Sequence, residues 1–142
     1  MRLIAPALAA LALTTTPVLA EELDVAGLWL TQSGGGKVNI SDCGDGTPCG
    51  TLTWVDPAEA GPGIDGNNPD PELQGRPLVG IQLVWGFERN GESWRRGNIY
   101  DPETGKTYRS TLRLNDDGTL RVQGCVGPIC QSQIWTALEV DG

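Results

Sequence analysis

Histidine is absent from the 142-residue sequence. Its absence excludes an imidazole general base, a His-based catalytic triad and any histidine metal site. Basic residues are also scarce: 10 Lys and Arg stand against 18 Asp and Glu, a formal net charge of −8. A chain this acidic repels phosphate backbones and anionic lipid surfaces, which argues against nucleic-acid and membrane-surface binding. No stretch carries an amphipathic helical pattern for three turns, and there is neither an internal repeat nor a linker. One domain is expected.

What is present begins with an apolar run. Arg2 precedes Leu3 to Leu13, and Val18-Leu19-Ala20 places small residues where a leader would be cut. Residues 1–20 therefore read as a Sec-type signal peptide, too short in its apolar core to span a bilayer, with cleavage near Ala20. The mature domain, 21–142, should contain no membrane span and should reside in the periplasm or outside the cell. No cysteine follows the cut, which argues against a lipoprotein anchor. The four cysteines all lie in the exported part, where an even count reads as disulfides. Each close pair flanks a short Gly/Pro loop, so hairpin geometry favours Cys43–Cys49 and Cys125–Cys130. Neither spacing is Cys-x-x-Cys, which argues against a zinc site or a redox dithiol.

The period of two recurs along the chain. Strands are expected at Val25–Thr31, Val38–Ser41, Gly50–Val55, Leu78–Phe87, 93–100, 106–114, Leu120–Gly124 and Gln133–Leu138, joined by turns such as Asn90-Gly91 and Asp101-Pro102-Glu103-Thr104-Gly105. Eight hairpin-linked strands predict an all-β fold, a single antiparallel up-and-down barrel whose closure removes the exposed edges. Asp56 to Arg76 is the exception: its prolines and glycines predict one long irregular loop, with Asp70 capping a helical turn at Pro71.

Each candidate site has a plainer reading beside it. Five tryptophans could line a ligand pocket, but filling a small core is the simpler use. Within Asp65–Asp70, Asp65 and Asn67 have the Asp-x-Asn spacing that opens a calcium loop, yet the stretch lacks the third close oxygen ligand and the later bidentate Glu, so turn and cap roles are favoured and no metal is assigned. Arg76, before Pro77, suits tethering the loop through a carboxylate or carbonyls. In the hairpin around residues 94–108, Trp94, Arg96 and Tyr100 alternate onto one face. With Trp85, Tyr108 and Arg76 they form the candidate ligand-binding set; the plainer reading is cross-strand charge pairing. Acidic residues sit almost wholly in turns and no nucleophile–base pair can be named, so neither a catalytic residue nor a cofactor is assigned.

Several pieces together resemble one family: Gly27-x-Trp29, Cys43-Gly44…Cys49-Gly50, Asn68-Pro69-Asp70-Pro71…Arg76-Pro77-Leu78, and Ile99-Tyr100-Asp101-Pro102…Gly105-Lys106-x-Tyr108. The sequence is similar, over nearly its whole mature length, to exported bacterial proteins of the DUF2147 family. The resemblance implies a small periplasmic lipocalin-like barrel, with Trp29 plugging the closed end, and carries over no catalytic residue. The second cysteine pair departs from that pattern. The functional expectation is a non-catalytic barrel binding a small apolar or aromatic ligand in its mouth, with the long loop as lid or rim. The alternative is an envelope interaction module with a filled barrel and an unknown protein partner; a carboxylate-based hydrolase or isomerase comes last.

Overall fold

The structure is a computed structural model and describes residues 2–13 and 23–139. The expected cleavage site lies outside the described residues. Residues 2–13 form no secondary structure, and among the described residues no helix is long and apolar enough to cross a membrane.

Nine strands form one antiparallel sheet: β1 (Gly27–Leu30), β2 (Gly36–Asp42), β3 (Pro48–Val55), β4 (Gln82–Trp85), β5 (Glu88–Asn90), β6 (Ser93–Asp101), β7 (Lys106–Leu114), β8 (Leu120–Val126) and β9 (Ile129–Leu138). Neighbours in the chain pair with one another except β4 and β5, β9 returns to β1, and β4 pairs β6, which closes the sheet into an eight-stranded barrel plus one extra strand. The extra strand is local. β4 and β5 run against β6 in one continuous register, Val84 opposite Ile99 and Arg89 opposite Trp94, so they act as one interrupted strand. Only β4 falls within the expected Leu78–Phe87 strand, which starts later than expected, and β5 lies beyond its end. Gly86, at a positive φ of 79°, interrupts them. Opposite, β6 carries a bulge between Trp94 and Gly97 in which Arg96 takes φ 58°. A bulge adds a residue and reverses the facing of everything after it.

The interior holds Trp29, Trp94 and Trp135 with Val38, Ile40, Leu52, Val84, Leu112, Leu120 and Val122, all buried in one cluster. Each such side chain contributes about 1.5–3 kcal/mol on leaving water. Filling, not ligand lining, is thus the use of three of the five tryptophans. Trp54 and Trp85 lie half-exposed on the outer face, with Lys37 stacked 4.7 Å from the Trp54 ring centroid.

One end is sealed. Trp29 Nε1 donates to Val25 O at 3.0 Å. Beside it Asp24 accepts from Trp94 Nε1 at 2.9 Å and from Arg89 Nη1 at 3.0 Å, with Arg89 stacked on Trp94. The opposite end carries the β6–β7 and β8–β9 turns and the connection from β3 to β4. That connection holds a four-residue helix, α1 (Pro57–Ala60), capped by Asp56, which accepts from Ala58 N. The sequence reading had no helix there, although the Asp-Pro start is the one expected at Asp70-Pro71. At that second site Asp70 does cap a turn, accepting from Glu72 N, but no helix follows. Both expected disulfides form: Cys125 and Cys130 face each other across β8 and β9, whereas Cys43, just past β2, reaches diagonally to Cys49, which stands opposite Ser41. The Cα separations are 4.1 Å for Cys125–Cys130 and 5.1 Å for Cys43–Cys49.

Candidate functional site

Facing decides what the candidate residues can touch. Val84, Ile99 and Tyr108 stand in register across β4, β6 and β7. Val84 is wholly buried, and a side chain on its partner Gly50 would meet Val84, Val38 and Ile40. That row therefore points inward. Tyr100 and Thr107, one step along, point outward.

Tyr100 is nevertheless buried, because the long loop folds against the outer wall. Asp65, with a relative exposure of 0%, is the centre of that contact. Its Oδ1 accepts from Tyr100 Oη at 2.6 Å; its Oδ2 accepts from Asn68 Nδ2 and Arg76 Nε, both at 2.9 Å. Burial pushes the Asp65 carboxyl up, but the three donors outweigh it and hold the group below the usual carboxylate value. Burial, then the Asp65 bond and charge, raise the Tyr100 hydroxyl to about 12. Nearby, Asn67 Nδ2 donates to the carbonyls of Pro102 and Glu103, and Gly105, at φ 71°, packs so closely on the Asn67 carbonyl that no side chain would fit. The loop is thereby riveted to the β6–β7 turn. Arg76 has the tethering role read from its position. Asp65 spends both oxygens on these donors, a poor donor set for calcium, and among the described residues no three His, Cys, Asp or Glu side chains converge as a metal site requires.

Between loop and wall lies an open cleft of about 300 Å³, lined by Asn68, Pro69, Arg76, Gln82, Trp85, Tyr100, Gly105 and Thr107. It brings together Arg76, Trp85 and Tyr100 of the expected set. Trp94 is not part of it, being fixed in the sealed end. Arg96 is excluded by the bulge: it points to solvent, 4.0 Å from Glu88. The single shared face expected for Trp94, Arg96 and Tyr100 does not form.

Tyr108 belongs to a second region, the barrel mouth. Above Val122 and Trp135 the inward positions of β8 and β9 include Gly124, Val126 and Ile129, in register with Ser110 and Tyr108 on β7. β1 pairs β9 only over residues 136–138, so the upper part of this wall is uncovered. Val126 is 63% and Ile129 72% exposed although they face inward. At the floor, Gly97, Ser110 and Gly124 form a row of small residues. The ring of Phe87 fills the space over Gly97. Ser110 Oγ is buried there with no hydrogen-bond partner among the described residues. An open cleft of about 510 Å³ lies beside this rim, lined by Lys106, Tyr108 and Val126 and by the outward positions Thr107, Arg109 and Cys125. Asp65 is singled out in the sequence only for a calcium loop, not as the anchor of this contact, and Ser110 not at all. Tyr100, the donor that ties Asp65 to the wall, is 35 positions away, and Ser110 is one more small residue in an alternating strand.

Residues 27–137 match the family described as "Uncharacterized protein conserved in bacteria (DUF2147)". A solved structure described as "Protein HP1028 from the human pathogen Helicobacter pylori belongs to the lipocalin family" superposes with a TM-score of 0.69 at 21% identity, covering 80% of this chain and 82% of that one. At that identity the likeness concerns the fold. No curated protein matches.

Proposed function

The chain belongs to the DUF2147 family, and on that footing we propose that it is an exported, non-catalytic barrel that binds a small apolar or aromatic ligand in its mouth. One observation carries the reading: inward-facing Val126 and Ile129 stand uncovered above a floor where the buried Ser110 hydroxyl lacks a partner among the described residues. Uncovered apolar surface on a concave wall marks a binding region, and a few placed polar groups orient what binds there. Ile99 and Tyr108 supply the side wall. The hydroxyl at the floor selects a ligand with one hydrogen-bonding group at its buried end. The leader-like residues 1–20 and the two disulfides support export to the periplasm.

Gly124 offers a clean test. A Cβ there would meet only Ile99 Cγ2 at 3.6 Å and Tyr108 Cβ at 3.7 Å, so Gly124→Leu fills the mouth without displacing backbone. Wild-type protein purified from the periplasm is expected to carry a small molecule in native mass spectrometry and to bind N-phenyl-1-naphthylamine. Gly124→Leu, equally stable, should do neither. Absence of binding from the wild type favours the filled interaction module instead, and binding unchanged in the variant overturns the mouth as the site.

A further inference from the structure

The outer cleft is a site of different chemistry from the mouth. Its lining residues include one cation, Arg76, and no carboxylate, in a chain with 18 acidic residues. Arg76 is held by its Nε on Asp65, which fixes the guanidinium plane, and its side chain stays 36% exposed. Neither Nη has a hydrogen-bond partner among the described residues. A guanidinium anchored through Nε presents its two Nη groups as a fork, and a fork matches a carboxylate. The guanidinium carbon lies 5.9 Å over the Tyr100 ring centroid, a cation–π contact with the outer wall. Trp85, half-buried on the outer face and lining the same cleft, offers a ring for stacking.

We infer that the cleft between the long loop and the outer wall binds a small aromatic carboxylate, its anion on the Arg76 fork and its ring against Trp85. The buried Asp65 is the anchor that aims the fork, and Tyr100 and Asn68 hold that anchor. A cleft of about 300 Å³ is at the lower end of small-molecule sites and suits a single ring with its acid group.

Benzoate is the probe and benzyl alcohol its neutral counterpart, each titrated into the mature protein while the Trp85 indole N–H is followed by NMR. Saturable shifts with benzoate and none with benzyl alcohol are expected. Thr107 is exposed and outside the Asp65 network, so its variants keep the fold. Thr107→Glu sets a carboxylate against the ligand and should weaken benzoate at least about tenfold, while Thr107→Gln stays within about twofold. Gly124→Leu should leave benzoate binding intact, which separates this site from the mouth. The inference is overturned by equal binding of the two probes, by a Thr107→Glu variant that binds benzoate like the wild type, by the absence of a saturable shift, or by loss of benzoate binding in Gly124→Leu.

Discussion

Tyr100 Oη donates a 2.6 Å hydrogen bond to Asp65 Oδ1, and that bond ties the long loop to the outer wall of the barrel across 35 positions of sequence. The carboxylate it reaches is fully buried, so the bond is charge-assisted and shielded from water.

Removing the hydroxyl should therefore cost more than an average hydrogen bond. Tyr100→Phe leaves one oxygen of a buried carboxylate unsatisfied, and a loss of about 1.5–3 kcal/mol is expected in urea unfolding. Asp65→Ala removes the acceptor of three donors and should cost at least as much. The double variant should lose less than the sum of the two, because they share one network.

The same pair sets the pH limits of stability. The Asp65 carboxyl titrates below its ordinary value of 3.8 in the folded protein, so its contribution is present above that value and is lost as acid protonates it. Tyr100 is raised from 10.0 to about 12, so its contribution is complete below pH 10 and lost as pH rises through 12. Asp65→Asn should flatten the acid limb of a thermal-stability profile, and Tyr100→Phe the alkaline limb. Ultraviolet titration should show one phenolate signal near pH 12 that disappears in Tyr100→Phe.

Glycines that look alike in sequence should respond differently. At Gly97 a methyl group would occupy the place of the Phe87 ring, so Gly97→Ala is expected to cost about 1–3 kcal/mol through overpacking. Gly105→Ala meets both a positive φ and the Asn67 carbonyl and should free the loop from the β6–β7 turn, visible as faster amide exchange over residues 65–68. Gly124→Ala should be nearly neutral.

Each disulfide closes a small hairpin loop, with sequence separations of 6 and 5. Loop-closure entropy gives each about 2 kcal/mol, so Cys43→Ala/Cys49→Ala and Cys125→Ala/Cys130→Ala should lower the melting temperature by similar amounts without unfolding the barrel. The measurement is calorimetry with and without reductant.

The strands and both cysteine pairs were legible because each rests on local chemistry: a period of two, a turn of Asn-Gly or Asp-Pro type, two thiols flanking one short hairpin loop. Trp29 was legible for the same reason, as the aromatic at the start of the first strand. The site was legible only in its members. Arg76, Trp85 and Tyr100 were named, and so was the tethering role of Arg76. Their meeting place was not, because a one-residue bulge at Arg95-Arg96 turns Tyr100 to the opposite face from the one alternation assigns. The sequence by itself determined an antiparallel barrel with a long loop at one end, since alternation and turn residues act between near neighbours. Tertiary structure alone decided where that loop lies and which acid it buries, because a carboxylate can be buried only where distant donors converge on it.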